Sequence, residues 1–205
     1  MNSLQTLFLH ELTDRLDAEK RFVRALPKLT RAATCKHLQL ALQTQLKDTT
    51  GRVKRLETVF TAIDVKARST KCEGTLGLLL EAECLAAEFK DTPAINAALI
   101  SVIQKFKHHG IAAYGCLHEW AALLGHREAS GHLKALLDEE KATDHALDAL
   151  ARTRSNPESL ALGNGNGKGV VAPVIPDAAR KPARAVAGRM GLRAVSVKPP
   201  RSLLV

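Results

Sequence analysis

The chain has 205 residues, of which 45% are apolar and only 3% aromatic, with one Trp and one Tyr. That supports a single domain with a real core, and it argues against an aromatic-rich sandwich or a base-stacking nucleic-acid platform. Net charge is +9, and +6 of it falls in residues 156–205, where eight Lys or Arg face two acids. No apolar run is long enough for a transmembrane helix. The first residues carry Glu11, Asp14 and Asp17 and lack the positive start of an export signal. Cys35, Cys72, Cys84 and Cys116 are far apart with no CxxC pair, so they read as reduced, mostly buried thiols of a cytoplasmic protein.

Five amphipathic helices are predicted in residues 1–155. The first runs from an N-cap at Ser3 to about Ala33, its stripe being Leu4, Phe8, Leu12, Leu16, Phe22, Leu26 and Leu29, with Pro27 expected to kink or split it. Thr34 caps a second helix to about Ile63, carrying Leu38, Leu42, Leu46, Val53, Leu56 and Phe60 on one side. Thr70 and Glu73 have capping-box spacing for a shorter third helix ending near Lys90. Thr92–Pro93 is a start signal for a fourth, which stops at Gly125. A fifth spans about Arg127 to Arg152. No period-two run of strand length occurs, so the fold class is all-α. Four long helices with a short one on the crossover give a ferritin-like four-helix bundle, a fold that builds metal sites from inward carboxylates.

Residues 156–205 are set apart by composition. They hold six of the eight prolines and six of the thirteen glycines. Such a segment cannot offset its ordering entropy by burial, so a disordered basic tail is expected there. Residues 168–201 are a candidate for nonspecific, salt-sensitive contact with a polyanion.

Carboxylates lie on the apolar stripes. Glu19 is three or seven residues from Leu12, Leu16, Phe22 and Leu26, so it faces the core. Glu140 and Asp144 bracket the inward face of the fifth helix before Leu147, and Asp48 lies at the edge of the second helix's stripe. At the matching depth of the fourth helix stand Lys107, His108, His109 and Gly110, with no acid.

The segments HEL at 10–12, AEK at 18–20, ALPK at 25–28, KC at 71–72, IAAYG at 111–115 and DEEKATD at 138–144 resemble the YciE/YciF family of ferritin-like proteins, in matching order over residues 3 to about 152. The resemblance implies a stress-associated four-helix bundle with a dinuclear iron or manganese site of carboxylates and His. Glu19, Glu140 and Asp144 match family acids. The family's His-x-x-Glu-Thr reads Gln45, Leu46, Lys47, Asp48, Thr49 here, and its Glu-His-Tyr-Glu reads Lys107, His108, His109, Gly110. Arg52 stands where a neutral Gln is common.

Candidate metal ligands are therefore Glu19, Asp48, His108, Glu140 and Asp144. The leading expectation is a degenerate site in which Arg52 and Lys107 satisfy the carboxylates without metal and without catalysis. One competitor is a working iron or manganese protein that handles oxygen or peroxide, with His108 or His109 as nitrogen ligand. Another is a bundle tethered to nucleic acid by its tail. Leu78 and Leu85, taken as an outward apolar face of the third helix, suggest a homodimer.

Overall fold

The computed structural model describes residues 2–163. Helix α1 is Ser3–Ala32, α2 Lys36–Ala62, α3 Glu73–Glu88, α4 Ile95–Leu123 and α5 Arg127–Leu150; a π-helical turn, Ala151–Ser155, leads into α6, Asn156–Gly163. No strand occurs among the described residues. α1 and α2 form one hairpin and α4 and α5 the other; α1 lies beside α4, α2 beside α5, and α3 packs on α4 and α1 along the crossover. This is the ferritin-like bundle with its extra crossover helix. No helix of the described residues is long and apolar enough to cross a membrane.

The helix ends show what periodicity alone leaves open. Asn2, not Ser3, caps α1, accepting from the backbone N–H of Gln5 at 2.7 Å. α1 runs unbroken through Pro27, because the stripe on both sides of the proline is held in one core. α2 begins without a side-chain cap of its own. The turn that leads into it is held by Asn96 of α4, whose Oδ1 accepts from Thr34 N and Cys35 N at 3.0 and 3.1 Å. Thr70 does not cap α3; it pairs with Thr13 of α1, and Cys72 is the cap. α4 starts at Ile95, two residues beyond Pro93. Gly125, at φ +80°, turns the chain from α4 into α5, a conformation that a side chain disfavours.

Two apolar clusters fill the bundle. One joins Phe22, Leu26, Leu38, Leu42, Leu99, Ile103, Phe106 and Leu147. The other joins Phe8, Leu12, Leu16, Leu56, Phe60, Tyr114, Leu117, Leu133 and Leu136. Leu78 and Leu85 pack against the first cluster rather than facing outward, and it is Leu80 that is exposed, so the basis for expecting a dimer is gone. Of the four thiols only Cys72 is buried; Cys35 is half-buried and Cys84 and Cys116 are exposed, against the expectation of mostly buried thiols. The helical path continues to Gly163 through residues expected to open the tail. The rest of the expected tail, and its polyanion-binding stretch 168–201, lie outside the described residues.

Candidate functional site

Between the two apolar clusters lies a charged layer. Arg15 and Glu19 come from α1, Arg52 from α2, Lys107 from α4 and Glu140 from α5. Arg52 is 1% exposed and the other four are fully buried. At that depth an isolated charge costs several kcal/mol or more, so each must be met by a partner.

Arg15 and Glu19, one helical turn apart, form a direct ion pair. Glu19 Oε1 also accepts from the Tyr114 hydroxyl at 2.8 Å, and its Oε2 lies 3.6 Å from Arg52 Nε. Glu140 is approached from three sides: by Lys107 Nζ at 2.9 Å, Arg52 Nε at 3.3 Å and Arg15 Nη2 at 3.9 Å. Arg52 Nη2 donates to Thr49 Oγ1 at 2.6 Å. The cations also use ring faces: Arg15 Cζ sits 4.8 Å from the Tyr114 centroid and 5.2 Å from that of Phe106, and Lys107 Nζ sits 5.0 Å from the Phe22 centroid. Burial pushes the Glu19 carboxyl up, but Arg15, Arg52 and Lys107 outweigh it and hold the group down at about 2. Burial depresses Lys107 against the pull of Glu140, and raises Tyr114 well above the usual phenol range, with Glu19 adding to that rise.

Of the five expected ligands, Glu19 and Glu140 are brought together. Asp48 is exposed on α2, because the inward register of that helix falls on Gln45, Thr49 and Arg52. His108 is exposed and pairs with Asp144, 3.3 Å away on α5, at the rim of the bundle. His109 is the histidine that turns inward, its Nδ1 lying 3.3 Å from Arg15 Nη1. Glu139, next to Glu140, faces out and pairs with Arg55 of α2. Arg52 and Lys107 meet the carboxylates as expected. Arg15 was not foreseen, although two signals were in the sequence: its i,i+4 spacing to Glu19 and the missing side chain at Gly110. A Cβ on Gly110 would lie 3.2 Å from Arg15 Nη2 and 3.4 Å from Cζ, so that glycine is what gives the guanidinium its place.

A dinuclear centre of the ferritin-like type draws a Glu from each of two helices and a Glu-x-x-His pair from each of the other two. Here α2 and α4 turn Arg52 and Lys107 inward instead, and two carboxylates face three cations. That donor set does not suit two divalent ions, whose charge would add to an existing excess of positive charge.

A family described as Domain of unknown function (DUF892) matches residues 3–159. The chain belongs to the DUF892 family. Protein YciF of Escherichia coli (strain K12) is 37% identical over 160 residues, which is 78% of this chain and 96% of that protein. A crystal structure described as that of the E. coli stress protein YciF superposes with a TM-score of 0.72 at 38% identity, covering 76% of this chain and 99% of the other. YcfI of Rhodopseudomonas palustris gives a TM-score of 0.70 at 35% identity, over 72% and 94% of the two chains. A protein of Xanthomonas campestris pv. campestris, at 13% identity and a TM-score of 0.60, shares the fold. The YciE/YciF resemblance read from the HEL, AEK, KC and DEEKATD segments thus extends over nearly all the described residues of this DUF892 chain.

Proposed function

We propose that this DUF892 protein is a stress-associated, non-enzymatic bundle whose charged layer stands in place of a dinuclear metal centre. The observation that supports this is the trio of Arg15, Arg52 and Lys107 around Glu19 and Glu140, with Gly110 making room for the first of them. Three fixed side-chain cations neutralise the inward carboxylates without an ion that must be acquired. A stress-related role is carried over from the likeness to the E. coli stress protein YciF, and a cytoplasmic location from the widely spaced cysteines; both belong to this proposal. The test is ferrous-ion oxidation and peroxide consumption by the full chain after supply of iron or manganese. Rates equal to those of buffer are expected. A rate proportional to protein and lost in Glu140→Gln would favour instead the working oxygen- or peroxide-handling protein.

A second reading rests on charge alone. With +6 concentrated after residue 155, the chain attracts polyanions, and such binding weakens steeply with salt through counterion release. Changing Arg180, Lys181, Arg184 and Arg189 to Ser should flatten the plot of log affinity for duplex DNA against log salt. An unchanged slope would remove this reading.

A further inference from the structure

The sequence motif KC at 71–72 has no part in the charged layer. It lies where the crossover meets the bundle. Thr70 N donates to Thr13 O at 3.1 Å, the Thr70 and Thr13 hydroxyls are 2.9 Å apart, and Cys72 N donates to Asp17 Oδ2 at 2.9 Å. These bonds fix the Cys72 thiol, 2% exposed, at the N-terminus of α3. There it meets Asp14 of α1 and His109 of α4, one ligand atom from each of the three lying within 4.8 Å of the other two.

We propose that Asp14, Cys72 and His109 form a binding site for a zinc-class divalent cation that clamps the crossover to α1 and α4. The donor set of thiolate, imidazole and carboxylate is that of zinc rather than of magnesium, calcium or manganese, which favour oxygen. Zinc bonds of 2.0–2.3 Å keep ligand atoms about 3.3–3.8 Å apart, so the group closes with about an ångström of side-chain movement. Asp14 and His109 are half-buried, which leaves the fourth position to water.

Two local features suit the site to an ion. Gly74 lacks the Cβ that would sit 3.3 Å from His109 Nε2, which leaves space on that side of the ring. The Thr75 backbone N–H donates to the sulfur at 3.4 Å, and the Thr75 hydroxyl, which accepts from the thiol at 3.2 Å, can turn to donate once the thiol gives up its proton to a metal. Arg15 Nη1 lies near His109 Nδ1, yet it does not oppose the ion. A divalent cation with one thiolate and one carboxylate is neutral as a unit, and Arg15 keeps Glu19 and Glu140 if the ring proton moves to Nδ1. The site therefore differs in charge balance from the layer beside it.

Cobalt(II) is the probe, added to the full chain with Cys35, Cys84 and Cys116 changed to Ser. The residues after 163 contain neither Cys nor His, so Cys72 is then the one thiol present. One equivalent should bind with a sulfur-to-cobalt charge-transfer band, zinc should displace it, and zinc should raise the melting temperature. Cys72→Ser should abolish the band while keeping the fold, since Ser is a good N-cap. Asp14→Asn should weaken binding by at least the roughly tenfold that loss of a mere outer partner costs. Absence of the band in the folded parent, or its survival in Cys72→Ser, would overturn the proposal.

Discussion

Gly110 is a helix-interior glycine, a choice that ordinarily costs about 1 kcal/mol relative to Ala. Its neighbour explains it: the Arg15 guanidinium lies 3.2–3.4 Å from where a Cβ would be, fixed there by Glu19 and by the Phe106 and Tyr114 rings. Gly110→Ala should therefore lower the melting temperature despite the better helix former. Gly51→Ala on α2, with nothing within 4 Å of the added carbon, should stabilise by about 0.5–1 kcal/mol. The two replacements carry the same propensity gain, so thermal unfolding of the pair isolates the contact with Arg15. Charge counting gives a second ranking. Glu140→Gln leaves three cations facing one carboxylate and should cost on the order of 3–5 kcal/mol. Lys107→Met leaves two against two, with Arg52 still 3.3 Å from Glu140, and should cost less than half as much in urea unfolding. Glu19 and Glu140 were legible because acids at leucine positions stand out. Arg15 was not, because a cation one turn before a glutamate is as often a solvated pair, and the signal that separates the two cases, Gly110, lies on another helix.

At the scale of elements, the ends of helices depend on tertiary partners. α2 has no side-chain cap; Asn96 accepts from the two amides just before it, Thr34 N and Cys35 N, and donates to Thr34 Oγ1 at 2.8 Å. Asn96→Ala should cost about 0.5–1.5 kcal/mol, the net worth of ordinary hydrogen bonds, because Thr34 is exposed and Cys35 half-buried. Hydrogen exchange should show the loss first in the α1–α2 turn. A change below the scatter of surface substitutions would mean that water replaces Asn96. The order and type of the five main helices followed from apolar spacing, since each stripe is long enough to fix a period. Caps were less legible: Thr34 and Thr70 have the right chemistry, but their hydroxyls are taken by Asn96 and Thr13 from distant parts of the chain. Pro27 likewise fits within α1, because packing on both sides holds the helix across one missing hydrogen bond.

For the whole molecule, a charged layer lies between two apolar clusters, and the pH dependence of stability follows from it. Glu19 has a carboxyl held at about 2 when folded against an ordinary 4.5. A depressed carboxylate contributes stability that is complete above its unfolded value and is lost as pH falls toward the folded one. The urea midpoint should therefore drop between about pH 5 and pH 2, and Glu19→Gln should flatten that drop. A parent profile that is level over this range would mean that Glu19 is not ionised in the core. The bundle topology was legible from four long stripes and one short one. What the centre of the bundle holds was legible only in outline, because it depends on which face of α2 and α4 turns inward. That face carries Gln45, Thr49, Arg52 and Lys107, with Asp48 and His108 one position out of register. The most direct measurement is the iron and manganese content of untagged full-length protein made with both metals in excess, taken in parallel on Cys72→Ser so that an ion at the crossover is not counted. Well under one equivalent per chain is the result expected if side-chain cations have taken over the centre. About two equivalents, lost in Glu140→Gln, would contradict it.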